Sequence, residues 1–183
     1  LKALDRKLQN WRISVARKHL SGRIRLIDVG AHGGEMFKAL DSQLIEGFGI
    51  EPLLKFPLSD KVFSIHPGFF PDVAPASGDW DAITMLAVLE HIPTSAQPQL
   101  AEACWKLLRP GGRLIITVPS PLVDHVLSLL RLFRLIDGMS LEEHFGFRPS
   151  DTPKIFAPPR LNLHCHERFQ LGLNHLFVFV KPE

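Results

Sequence analysis

In the stretch RLIDVGAHGGE (25–35) a carboxylate, Asp28, closes an apolar run, and Gly30, Gly33 and Gly34 follow it at once. Glycines at such a point let the backbone turn sharply and come close to a ligand. A second apolar stretch, GFGIE (47–51), ends in Glu51, twenty-one residues after Gly30. Two acids closing two apolar runs, one of them beside a glycine loop, describe a nucleotide site. A helix N-terminus aimed at a pyrophosphate would carry G-x-G-x-x-G. Here the spacing is D-x-G-x-x-G-G. A carboxylate at Asp28 favours a cationic ligand, and Glu51 is placed to accept hydrogen bonds from both hydroxyls of an unphosphorylated ribose.

The elements that must hold these residues are legible as alternating apolar runs and helical patterns. Leu4, Leu8, Trp11 and Val15 recur three or four apart with Arg6, Lys7, Arg12 and Lys18 between them, which predicts a helix over 3–20. Strands are expected at 25–29, 47–51, 61–65, 80–86 and 113–118. Helices are expected from Glu35 to about Leu44 and over 96–108, the latter capped by Ser95 and broken by RPGG (109–112). Short apolar strands alternating with helices imply a parallel sheet covered on both faces, and right-handed crossovers make it doubly wound. At the C-terminus, RLNLHCHERF (160–169) and HLFVFVK (175–181) are two strands joined by QLGLN. So short a link leaves no room for a crossover helix, so this pair is an antiparallel hairpin.

Bulk properties narrow the class. A chain of 183 residues with 45% apolar and 22% charged residues reads as one globular domain. Twenty-one basic against nineteen acidic side chains give no whole-protein argument for nucleic acid or an anionic membrane. Two cysteines, Cys104 and Cys165, are too few for a disulfide framework and point to a reducing, cytoplasmic setting. The greasiest stretch, 121–137, is interrupted by Asp124, His125, Arg131 and Arg134, so no membrane insertion is expected. No cleavable signal is expected in its first residues. In HCH (164–166), strand alternation puts His164 and His166 on one face and Cys165 on the other, so no metal is expected there.

Four segments together, LIDVGAHGG (26–34), GFGIEP (47–52), WDAITMLAVLEHIP (80–93) and LLRPGGRLIITVPS (107–120), resemble the class I S-adenosylmethionine-dependent methyltransferases. The resemblance is close over 22–120 and looser in the hairpin. It implies a Rossmann-like α/β sheet, mostly parallel, of seven strands ending in an antiparallel hairpin. The whole of 1–183 is then one domain: an N-terminal helix (1–21), a cofactor-binding core (22–120) and an acceptor-side segment with the hairpin (121–183).

Carried over position by position, the resemblance implies that S-adenosyl-L-methionine is the cofactor. Gly30, Ala31, His32 and Gly33 would pack against its methionine portion, with Asp28 near the ammonium. Glu51 would hold the ribose, Pro52 and Leu53 would border the adenine, and Leu86 and Ala87 would flank the sulfonium. Where relatives often carry an acid for the adenine amine, this chain has HPGFFPD (66–72), which puts Gly68 and Phe69 at that place.

Methyl transfer to an alcohol or amine also needs a proton removed. His91 in LEHIP and His144 in LEEHFGFRP are the residues proposed for that catalytic role, with Glu90 expected to cap or orient the next segment. The acceptor implied is a small molecule, methylated at oxygen. A nucleic-acid base is disfavoured, because LAVLEH (86–91) replaces the N/D-P-P-aromatic tetrapeptide of base-amine methylation. An inactive methyltransferase-like binding domain and a nicotinamide oxidoreductase are the alternative readings. The first would show a damaged cofactor site, and the second is opposed by the loop spacing and the terminal hairpin. Oligomeric state and acceptor identity stay open at this stage.

Overall fold

The computed structural model of the protein describes residues 2–76, 78–120, 147–157 and 159–183. The apolar stretch 121–137 and His144 lie outside these residues. An eight-stranded sheet forms the centre. Its strands are β1 (Ile24–Val29), β2 (Leu44–Ile50), β3 (Leu58–Ser59), β4 (Phe63–His66), β5 (Trp80–Leu86), β6 (Leu108–Pro119), β7 (Asn162–Phe169) and β8 (Asn174–Val180). The spatial order is β3-β4-β2-β1-β5-β6-β8-β7. β4, β2, β1, β5 and β6 run parallel to one another. β8 is antiparallel to both β6 and β7, as the short turn between the last two strands requires.

The seven strands read from the sequence are all present. The eighth, β3, is a two-residue antiparallel edge strand on β4, too short to register as an apolar run. The boundaries of all three expected helices moved. The first helix, α1 (Lys2–Arg17), ends before the expected residue 20. The next, α2 (Glu35–Leu40), stops at Asp41, whose φ of 48° leaves the helical region, so β2 begins at Leu44. The third, α3 (Gln97–Leu107), follows Ala96 with no side-chain cap. The chain before it is turned instead by backbone bonds from Ala96 N–H to the Pro93 carbonyl and from Gln97 N–H to that of Thr94. Ser95 is therefore not the cap. RPGG does not sit between helix and strand but inside β6, where the pairing with β5 jumps from Leu108 to Arg113.

Strand alternation splits the core into two layers. On one face Ile27, Ile83, Leu114, Ile116, Phe177 and Phe179 pack with Leu100, Ala101, Cys104 and Leu107 of α3. On the other face Leu26, Ala82, Ile115, Leu176 and Val178 pack with Ile13 and Ala16 of α1 and with Met36, Phe37 and Leu40 of α2. β1 leads outward through β2 to β4, whereas β5 leads the opposite way to β6. The carboxyl ends of β1 and β5 are thus the switch point at which an open parallel sheet forms its ligand crevice.

Candidate functional site

Asp28 sits at that switch point. It lies two residues beyond Leu26 on the same face of β1, the face that α1 covers, and it is buried. Its partner in the register of β1 against β5 is Thr84. Burial pushes the Asp28 carboxyl up to about 7, opposed by the Thr84 hydrogen bond and reinforced by the charges of Glu35 and Glu51. An ionised Asp28 is therefore costly until a cation arrives, which is the electrostatic form of the preference read from the sequence.

The loop after β1 is shaped by backbone constraint. Gly30 has φ 78°, and a Cβ there would come within 2.5 Å of Val88 Cγ2, so both conformation and space demand glycine. Gly30 and Ala31 N–H groups both donate to the Ile50 carbonyl, at 2.8 and 3.1 Å. His32 and Ala87 adopt left-handed φ values of 46° and 59° although neither is glycine, a strain of about 1 kcal/mol or more each that concentrates at functional sites. The Ala87 N–H is held by Thr117, through both its carbonyl oxygen (2.9 Å) and its hydroxyl (3.1 Å).

A cavity of about 820 Å³ opens here, within the range of small-ligand sites. Asp28, Gly30, Ala31, His32, Leu86 and Ala87 all line it, so six of the residues picked from the sequence meet around one space. Gly33 stands beside it, its N–H donating to Glu35 Oε2 (3.1 Å) and its carbonyl accepting from Lys38 Nζ (2.7 Å).

Glu51 is buried at the end of β2 and is linked to the cavity by one hydrogen bond, from His32 N–H to its Oε2 at 2.9 Å. Its Oε1 accepts from Leu53 N–H at 3.0 Å. The carboxylate is thus fixed in orientation by two backbone donors, with lone pairs left for two hydroxyls. Pro52, Leu53, Gly68 and Phe69 lie outside the cavity walls, after β2 and β4. Leu53 and Phe69 are 85% and 69% exposed, apolar surface open to a flat ring.

Two features were missed from sequence. One wall of the cavity is α1, which contributes Asp5, Gln9 and Arg12, none of them among the site residues read from the sequence. Arg12 is half-buried, and its Nε, shielded from solvent, has no hydrogen-bond partner among the described residues. Burial lowers its pKa, against the opposing charges of Glu90 and Asp5. A guanidinium N–H held out of water with no acceptor is costly unless an anionic ligand group completes it. Nothing in the 3–4 spacing of α1 separates Arg12 from its neighbouring cations; only the path of the helix does. The second feature is the charge of Glu90, a residue expected only to cap or orient the next segment. Glu90 is buried within the turn Leu89–His91, and its charge acts on Arg12. His91 itself is exposed and does not line the cavity.

Residues 2–153 match the family described as Methyltransferase domain. The ubiquinone biosynthesis O-methyltransferase of Nitrosococcus oceani is 30% identical over an alignment of 201 positions, covering 94% of this chain and 84% of that protein. The protein of the same name from Methylococcus capsulatus is 27% identical, covering 91% and 80%. Among solved structures, the N-methyltransferase NodS from Bradyrhizobium japonicum superposes with a TM-score of 0.66 at 13% identity, over 98% of this chain and 97% of that one. Magnesium protoporphyrin IX methyltransferase from Synechocystis, solved with bound SAH, gives 0.62 at 14% identity, over 96% and 82%. These two likenesses concern the fold. The chain belongs to the class I S-adenosylmethionine-dependent methyltransferases. Its cosubstrate is S-adenosylmethionine, and the cavity brings a buried carboxyl and a guanidinium together, with the fixed glutamate one hydrogen bond away.

Proposed function

We propose that the enzyme O-methylates a phenolic hydroxyl of a small aromatic acceptor, of the kind used in quinone biosynthesis. The observation that carries this reading is the 30% identity, across nearly the whole chain, to an O-methyltransferase of ubiquinone biosynthesis. S-adenosylmethionine supplies an electrophilic methyl on sulfur, and its passage to an acceptor oxygen leaves a neutral thioether.

The residues of this chain position and charge-balance that event. Asp28 faces the ammonium end, Arg12 completes its free Nε with the carboxylate of the same amino-acid portion, and Glu51 accepts from the ribose hydroxyls. Pro52, Leu53, Gly68 and Phe69 border the adenine. Leu86 and Ala87, held by Thr117, bound the side from which the acceptor oxygen approaches in line. The phenol's proton must leave as the new O–C bond forms, and His91 and His144 are the bases proposed to take it. His91 sits one residue beyond the buried Glu90, in the turn that follows β5.

Among the described residues no helix is long and apolar enough to cross a membrane. Both cysteines are free thiols, which supports a reducing, cytoplasmic location. A small molecule rather than a nucleic acid is the acceptor in this reading.

The test is incubation with S-adenosylmethionine carrying an isotopically labelled methyl, against matched panels of catechols, aliphatic alcohols, amines and an RNA duplex. Label in the methyl ether of a catechol supports the proposal. Label confined to the amine or RNA panel would overturn it.

A further inference from the structure

We propose a zinc-binding site formed by His19, Cys165 and Glu167, which clamps the end of α1 to the edge strand β7. The three residues come from opposite ends of the chain. Cys165 Sγ lies 3.3 Å from Glu167 Oε1, and His19 Nε2 lies 3.9 Å from the same oxygen. All three ligand atoms lie within 4.8 Å of one another. A tetrahedral centre with ligand bonds of about 2.0–2.3 Å sets its ligands roughly 3.3–3.7 Å apart, so small side-chain adjustments bring this set onto one ion. Imidazole, thiolate and carboxylate together are a zinc ligand set, with water as the fourth ligand.

Strand alternation argued against a metal in HCH, but the pairing of β7 with β8 shifts between Leu163 and Cys165, so strict alternation does not run through His164. His166 turns to the opposite face, where its ring stacks on Phe177 with centroids 4.2 Å apart. The sequence could not show that Cys165 and Glu167, two apart on β7 and therefore on one face, are met by a histidine from the turn after α1. The frame around them is fixed. The His19 carbonyl accepts from Arg113 Nη1 at 2.7 Å, and its N–H donates to the Ala16 carbonyl at 3.1 Å. Cys165 packs against the cluster that holds Ile13, Ala16 and Leu20. Coordination takes the thiolate, so the Sγ proton passes to solvent as the metal binds.

The position gives the ion a purpose. The first half of α1 forms a wall of the cofactor cavity, and its far end runs to His19. Gln170 Nε2 already ties the hairpin turn to α1 through the Leu8 carbonyl at 3.0 Å. A metal at His19 adds a second tie between the same two elements and holds that wall against the sheet.

Zinc sulfate is titrated into the metal-stripped full chain by competition with a chromophoric chelator, and cobalt chloride is added in parallel to read ligand type by absorption. One zinc per chain is expected, with a rise in thermal midpoint by mass action. The cobalt form should show a thiolate-to-metal charge-transfer band that Cys165→Ser abolishes. His19→Ala and Cys165→Ser should each weaken zinc by about tenfold or more, while His166→Ala leaves it unchanged. Glu167→Gln, at an exposed position, serves where either of the first two variants fails to fold. Absence of saturable zinc binding, or affinity equal to the parent in His19→Ala, Cys165→Ser and Glu167→Gln, overturns the proposal.

Discussion

Thr84 Oγ1 lies 2.6 Å from Asp28 Oδ1 across the β1–β5 pair and 3.3 Å from the Ile27 carbonyl. One hydroxyl can therefore serve both protonation states. It donates to the ionised carboxylate, or it turns its proton to the carbonyl and accepts from the neutral acid. This lets a buried aspartate change charge inside the site without stranding a polar atom.

The linkage has a definite sign. Asp28 keeps its proton in the folded, ligand-free protein up to about 7, whereas the unfolded chain releases it near 3.8. The folded state binds more protons between these values, so the contribution of Asp28 to stability falls as pH rises through that window and is flat above it. Asp28→Asn removes this dependence. Relative to the parent, the variant should gain roughly 4 kcal/mol between pH 4 and pH 8 if the whole shift is realised. Denaturant midpoints at pH 4.5, 6 and 8 measure it, and parallel pH curves for the two proteins would contradict it.

Glu51→Ala removes the acceptor for two ribose hydroxyls. A hydrogen bond to a charged group contributes about 1.5–3 kcal/mol, so affinity for S-adenosylmethionine should fall roughly tenfold to a hundredfold. The same change frees the N–H groups of His32 and Leu53, so the loop after β1 should exchange its amide hydrogens faster. Glu51→Gln keeps an acceptor and should lose less on both counts. Equal affinity in Glu51→Ala and the parent would place the ribose elsewhere.

Much of this was readable from the chain. Asp28, the glycine loop and Glu51 follow from a rule that ties function to strand ends, and the strands were visible as apolar runs. Leu86 and Ala87 came from the family resemblance rather than from the residues themselves. Arg12 and Glu90 were not readable, because their roles depend on where α1 crosses the sheet, a packing outcome that periodicity does not encode. The edge strand β3 and the true start of α3 were missed for a simpler reason. Two residues carry no apolar pattern, and a serine near a helix start is only one of several ways to turn the chain.

Arg12→Ala separates the two ends of the cosubstrate. If the guanidinium completes itself on the amino-acid carboxylate, affinity for S-adenosylmethionine should drop about tenfold or more. Affinity for methylthioadenosine, which lacks that carboxylate, should not change. Calorimetry on both ligands decides it: equal losses would mean that Arg12 acts only through the fold of α1.

For proton removal, His91→Ala should lower turnover about a hundredfold while leaving cosubstrate affinity nearly intact. The parent's rate on a phenolic acceptor should rise with pH as the imidazole base loses its proton. His144→Ala is measured alongside. A flat profile, with both variants within about threefold of the parent, would remove imidazole base catalysis from the reaction.

A cationic cosubstrate meeting Asp28 beneath α1 is the central contact of the proposed site, and proton-linked calorimetry tests it directly. S-adenosylmethionine is titrated into the parent and Asp28→Asn at pH 6, in two buffers of different ionisation enthalpy. The parent should bind one molecule per chain and release about one proton, because the arriving ammonium ionises a carboxyl that titrates near about 7. Asp28→Asn should bind more weakly and release none, and NAD should give no binding heat with either. Binding of S-adenosylmethionine with no proton release by the parent, at an affinity that Asp28→Asn matches, would contradict the account.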